Sequence, residues 1–317
     1  MDFANFASQL NAGTILPEGI VIITLLGVLI VDLIAGRTSS RWIGYLAFAG
    51  LFAAIVVLCF QWDNTNPISF GGAFNADDLG IVFRGIVALS AAVTILMSIS
   101  YIEQSGTALA EFIAILLTAT LGGMFVSGST DLVMIFVSLE TLSISSYLMT
   151  GYTKRDARSN EAALKYLLIG AASTGVFLYG VSLLYGLSGG QTQLGAIATG
   201  IASGNLGQSL GIVIALVFVI AGIGFKISAA PFHQWTPDVY EGAPTPVIAF
   251  LSVGSKAAGF ALAIRLLTNV FPLVAEEWKF VFTALAVLSM ILGNVVALAQ
   301  TSMNVYLLTH LLDKLVL

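Results

Sequence analysis

The chain has 317 residues, of which 58% are hydrophobic and 9% charged, with a formal net charge of -5. A water-soluble domain carries roughly 25% charged residues, so the composition excludes a soluble globular protein. The 12 Lys and Arg are scattered along the chain and offer no basic stripe for nucleic acid; what remains is a polytopic membrane protein.

The opening stretch, MDFANFASQLNAGTI, lacks the basic segment of a signal peptide, so the first membrane helix is expected to direct insertion itself. Apolar runs long enough to cross a bilayer lie near residues 16–35, 42–61, 80–100, 109–127, 130–150, 161–187, 209–227, 244–264 and 280–300. Arg37 and Arg41 follow the first span and Lys154, Arg155 and Arg158 the fifth, whereas the even-numbered exits hold Asp63, Asp77 and Asp78 or almost no charge. Basic loops mark the cytoplasmic side, which places the amino terminus outside or in a lumen. Arg84, Arg265 and Lys279 run against this pattern, and each is expected to snorkel from near a helix end. Cys59, the single cysteine, reads as a packed small hydrophobe. The uncharged, glycine-rich stretch from Gly189 to Gly207 is expected to form a loop or short helix on the outer side. No Cys and His cluster at metal spacing, G-x-G-x-x-G turn or P-loop occurs, so the chain is not expected to bind nicotinamide, flavin or iron and sulfur itself.

Glu18, Asp32, Arg84, Asp131 and Glu161 lie close to span ends. Four ionisable side chains are then left inside apolar runs: Glu140, Lys165, Lys226 and Lys256. Facing lipid unpaired at mid-helix, such a group would cost roughly 2.5–3.5 kcal/mol, so the deep ones should face protein. Glu140 lies near the middle of its span, with Ser143 and Tyr147 on its own face and Ser138, Thr141 and Ser145 on adjoining stripes. These hydroxyls suit a short water file; a carboxylate locking two helices by a salt bridge is the alternative. Lys165 follows Glu161 by one helical turn and is either a surface lysine or a functional one. Lys226 follows the run GIVIALVFVIAGIGF, and Lys256 sits deep in the run that starts at Pro244. Desolvation disfavours a lysine's charged form and a nearby carboxylate favours it, so a shifting carboxylate would change whether such a lysine holds a proton. Between the two lie Pro231, Pro237, Pro244 and Pro246, which break the helix, and irregular backbone at membrane depth survives only where it lines protein or a hydrated cavity. His233 in this stretch is a candidate proton relay; a ring that merely hydrogen-bonds a carbonyl beside Trp235 is an equally good reading.

The strings SLETLSISSYLMTGYTKRDARSNEAALKYLLIGAASTG, GFKISAAPFHQWTPDVYEGAPTPV and LSMILGNVVALAQTSM resemble the antiporter-like membrane subunit 2, or N, of the complex I family. The likeness is strongest to its cyanobacterial NAD(P)H-quinone oxidoreductase branch and covers residues 1 to about 303. It implies an all-α polytopic fold of about nine transmembrane helices, part of an antiporter-like inverted repeat with a broken seventh helix. Helices 1 to 3 would occupy 1–108, a first repeat with a proton half-channel 109–264, and the start of a second repeat 265–303, with 304–317 matching nothing. By position, Glu140 matches the family's fifth-helix glutamate, Lys165 its sixth-helix lysine, Lys226 the lysine of the broken seventh helix and Lys256 that of the eighth. The resemblance further implies a place in the thylakoid membrane, multi-pass and among lipids, where the positive-inside rule puts the amino terminus in the lumen. The assembly would oxidise reduced ferredoxin or NAD(P)H elsewhere, reduce plastoquinone and pump protons. Other membrane and peripheral subunits would handle quinone, iron-sulfur clusters and electron donor, so ferredoxin is only an indirect partner and no cofactor is expected on this chain. The family continues past Met303 with a second half that this sequence is expected to lack; His310, Asp313 and Lys314 match nothing in it. Two other readings are a subunit of a multi-subunit cation/proton antiporter and a structural or assembly element that does not conduct.

Overall fold

The computed structural model describes residues 11–35, 40–62, 68–105, 107–204 and 209–299. Arg37, Asp63, His310, Asp313 and Lys314 lie outside the described residues, as does the segment 304–317. Among the described residues, nine helices are long and apolar enough to cross a membrane. In chain order the elements are α1 (Leu16–Ala35), α2 (Ser40–Phe60), a hairpin of β1 (Ile68–Ser69) and β2 (Phe74–Asn75), α3 (Asp78–Ser105), α4 (Leu109–Gly128), α5 (Leu132–Thr150) and α6 (Ala157–Leu187). They continue with the short α7 (Leu194–Ser203), α8 (Leu210–Ile227), the short α9 (Trp235–Gly242), α10 (Thr245–Phe250), α11 (Lys256–Val270) and α12 (Ala275–Ala299). One turn of π-helix, Leu251–Ser255, joins α10 to α11, so that a single span runs Thr245–Val270.

The borders depart from the hydropathy reading where polar residues begin a helix. The sixth span starts at Ala157 because the Asp156 carboxylate accepts a hydrogen bond from the Arg158 amide at 3.0 Å, satisfying an orphan donor of the first turn. Glu276 and Glu277 occupy the first turn of α12, where negative charge suits the helix dipole. The stretch from Gly189 to Gly207 contains the helix α7, one of the two forms expected of it.

By packing, the chain forms two compact units, one comprising Met1–Thr153 with Pro244–Ala261 and the other Lys154–Ala243 with Leu262–Leu317. This division is a separate matter from the repeat boundaries that the resemblance implies. In the first unit α4 is the centre: 72% of its apolar window is buried, against 28% and 33% for α1 and α2, whose outer faces are left for lipid or neighbouring chains. Gly122 lets α4 lie directly on α5, since a Cβ there would come 2.5 Å from the Leu142 nitrogen and 2.8 Å from the Ser138 oxygen. Both are backbone atoms that cannot rotate away. Gly122→Ala is therefore expected to destabilise the protein by about 1–3 kcal/mol, read as a lower midpoint in thermal unfolding of the purified protein in detergent; an unchanged midpoint would refute the close contact.

The unexpected element is the hairpin, a small exception to an otherwise helical chain. Gly71 and Gly72 turn it with φ of 63° and 97°, a left-handed path that glycine takes without strain, and Phe70 before them is also left-handed at 53°. The Phe74 ring is fully buried, meets Phe125 edge-on at 5.8 Å and fills the space beside Gly128. Thr130 fastens the turn, its amide donating to Ala73 O at 2.8 Å and its hydroxyl to Gly72 O at 2.7 Å.

Snorkelling is overturned for Arg84. Its side chain is 0% exposed and the Glu18 side chain 1%, with Nε donating to Oε1 at 2.7 Å and a terminal nitrogen to Oε2 at 2.6 Å. The guanidinium also donates to Thr14 O at 3.1 Å and Gln61 Oε1 at 3.4 Å and lies 5.2 Å above the Phe74 ring. The physical reason is topological: α1 and α3 are both odd-numbered spans entered from the same side, so the charge of Arg84 meets a carboxylate nearer than it meets water. Arg265 is likewise buried rather than snorkelling. Lys279 is exposed and paired with Glu276 at 3.0 Å. Cys59 corrects a further expectation: it is exposed on the outer face of α2 rather than packed.

In the second unit α6 and α8 are interlocked, Gly180 facing Phe218 and the Val219 amide, and Gly222 facing the Phe177 ring. The seventh long helix is broken as expected. α8 stops at Ser228, which takes a left-handed φ of 60°, and the Ala229 amide closes the end by donating to Gly224 O at 2.8 Å. The Ala230 amide then donates to the Ser289 hydroxyl of α12 at 2.9 Å, and the chain becomes helical again only at Trp235.

Candidate functional site

Lys256 is 2% exposed and opens α11 directly after the π-turn. The wider turn disturbs the regular ladder, a feature often found at functional sites, and Ser252 and Ser255 within it are buried. Gly254 sits against the Ser90 hydroxyl and the Phe250 ring, which holds the π-turn close on α3. Glu140, in the same compact unit, is half-buried on α5. Tyr147 hydrogen-bonds Ser143 on its face. The hydroxyls of Ser143 and Thr141 donate to Leu139 O at 2.7 Å and Val137 O at 2.8 Å. Their oxygens can accept from a neighbour, but their protons are committed to their own helix, which narrows the expected water file.

Lys165, Lys226 and His233 belong to the other unit. Lys226 is 5% exposed in the last turn of α8, where a cation suits the helix dipole. The break beyond it is pinned by aromatics. Trp235 stacks on Tyr166 of α6 with centroids 4.4 Å apart and planes within 5°, lies 5.1 Å from Phe225, and donates its indole N–H to Phe225 O at 3.2 Å. His233 is half-buried, and burial lowers its pKa, favouring the neutral ring. Tyr240 is buried in α9, which pushes its phenol well up. Among the described residues, Nδ1 of His233 and the hydroxyls of Ser228 and Thr236 are buried without a hydrogen-bond partner, so the break presents polar atoms of the kind that water satisfies.

Lys165 is placed differently from the two buried lysines. Its side chain is 42% exposed and paired with Glu161 at 2.9 Å and Asp238 at 3.0 Å, in a cleft of about 220 Å³ also lined by Arg158 and Glu241. Glu161 was visible as a neighbour one turn away; Asp238, brought in by α9, carried no local signal. Among the described residues no group of three or more His, Cys, Asp or Glu side chains is placed to hold a metal ion.

The family described as NADH:quinone oxidoreductase/Mrp antiporter, transmembrane, matches residues 129–307, more than half of the chain. The N-terminal region of NAD(P)H-quinone oxidoreductase subunit 2 matches residues 4–100. The NAD(P)H-quinone oxidoreductase subunit 2 of a Nostoc species is 88% identical over 304 residues, 96% of this chain and 58% of that protein. Among solved structures, respiratory complex I from Thermus thermophilus with bound aureothin contains a chain with 30% identity and a TM-score of 0.78, covering 95% of this chain and 62% of its own. The Mrp complex from a Dietzia species contains one with 18% identity and a TM-score of 0.77, covering 97% and 58%, a likeness of fold. The chain thus spans less than two thirds of the length of each of these relatives.

Proposed function

Since the chain belongs to the NADH:quinone oxidoreductase/Mrp antiporter family of membrane subunits, we propose that it is a proton-translocating subunit of a complex I-like NAD(P)H or ferredoxin:plastoquinone oxidoreductase. The observation that carries the reading is Lys256, 2% exposed inside a membrane span and placed at a π-turn. A buried lysine in a span is costly and is retained where its proton is used. In this reading Glu140, Lys165, Lys226 and Lys256 hold and pass protons, and His233, neutral by burial, accepts one in transit. Titrations of interacting groups are coupled, so in this reading a charge change imposed by a neighbouring subunit alters which station holds a proton. Electron transfer, plastoquinone and the iron-sulfur clusters belong to partner subunits, and the assembly sits in a cyanobacterial thylakoid membrane with the amino terminus in the lumen.

The test is Glu140→Gln in the assembled complex. Removing one proton-transfer group is expected to lower quinone-coupled proton transport into membrane vesicles by about tenfold or more, with the complex still assembled by native electrophoresis. Unimpaired pumping by that assembled variant overturns the assignment. Sodium-dependent exchange without a quinone reductase among the co-purifying chains would instead make the protein an antiporter subunit.

A further inference from the structure

The short helix α9 lies along the start of α6 through one face. Trp235, Asp238 and Gly242, at i, i+3 and i+7, meet α6 in reverse order. Trp235 stacks on Tyr166, Asp238 pairs with Lys165 at 3.0 Å, and Gly242 lies so close that a Cβ would come 2.5 Å from Arg158 O and 2.7 Å from the Ala162 Cβ. The two ends of α9 are therefore fixed by contacts that tolerate little movement, and Asp238 is delivered to Lys165 from between them. The start of α9 is also tied to the turn that carries Lys226, through the Trp235 indole and the carbonyl of Phe225.

We propose that Asp238 is a positioning residue for Lys165: it holds the ammonium in the cleft between α6 and α9, so that the segment after the helix break determines where this lysine's proton is presented. The pair is half-exposed, with side chains 42% and 51% accessible, and pairs of that kind add little to stability. Stability thus does not account for it. What the pair does fix is geometry, because a lysine on a flexible stem otherwise samples many rotamers. The other charged groups lining the cleft are Glu161 and Arg158 from α6 and Glu241 from α9; Glu161 shares the Lys165 ammonium at 2.9 Å.

The proposal rests on the proton-transport reading for its consequence, so the test has one readout that is independent of it. In the intact complex in its membrane, the rate at which acetic anhydride labels Lys165 is followed by mass spectrometry at a fixed mildly alkaline pH. Asp238→Asn is expected to raise that rate about two- to five-fold, the size expected when one exposed ion pair is lost, while Asp238→Glu restores the wild-type rate. Glu241→Gln, in the same cleft, is expected to change it less than Asp238→Asn. Unchanged labelling in Asp238→Asn, or an equal rise in Glu241→Gln, overturns the positioning role. If labelling responds as expected but coupled proton transport is the same in Asp238→Asn and wild type, the clamp stands and the use of Lys165 as a proton station falls.

Discussion

Lys256→Met is expected to reduce quinone-coupled proton transport by the assembled complex by at least about tenfold, the loss that accompanies removal of a positioned proton-transfer group. Methionine keeps the length and apolar stem of the lysine and discards only the ammonium. The side chain is 2% exposed, so the apolar replacement carries no new desolvation cost and the variant should assemble. Lys256→Ala is expected to lose transport equally while also leaving a cavity, typically a penalty of about 2–5 kcal/mol for a long buried side chain. Comparing the two separates chemistry from packing. Proton transport measured in vesicles decides it: assembled Lys256→Met complex that pumps normally would remove Lys256 from the mechanism.

Arg84→Met is expected to destabilise the protein by about 3–5 kcal/mol, the range found when one partner of a buried ion pair is removed. The carboxylate of Glu18 would be left 1% exposed without the two short hydrogen bonds at 2.7 and 2.6 Å that now satisfy it. Gln61 would lose one partner and keep the other, since its amide donates separately to Gly13 O at 2.6 Å. Replacing both charges by well-packed neutral side chains is often neutral, so Arg84→Met combined with Glu18→Leu should recover most of the loss. Thermal unfolding of the purified protein in detergent measures both. A single variant as stable as wild type, or a double variant no better than the single, would show that the pair contributes nothing by being paired.

These two residues also mark what can be read from a linear chain. The nine spans were legible because length and apolarity are local properties, and the break after Lys226 because proline acts on its own backbone. The burial of Lys226 and Lys256 followed from their apolar flanks. Arg84 was misjudged because distance to a helix end is local, while the position of Glu18 is a fact of folding; the shared polarity of two odd-numbered spans was the only hint. Asp238 reaches Lys165 through the stacking of Trp235 on Tyr166, a contact between distant segments that no periodicity encodes. The π-turn at Leu251–Ser255 likewise leaves no mark, because its residues suit an ordinary helix as well.

The hairpin between α2 and α3 passes for a connecting loop, yet its Phe74 ring supports Arg84 from below and its turn is tied to Thr130. Loops ordinarily accept extra residues at small entropic cost. Here an added residue after Gly72 would pull Phe74 out of register and expose the buried charge to solvent. Homologous chains should therefore keep a constant length between Ile68 and Asn75, an absence of insertions and deletions that reports on a buried ion pair rather than on the loop itself.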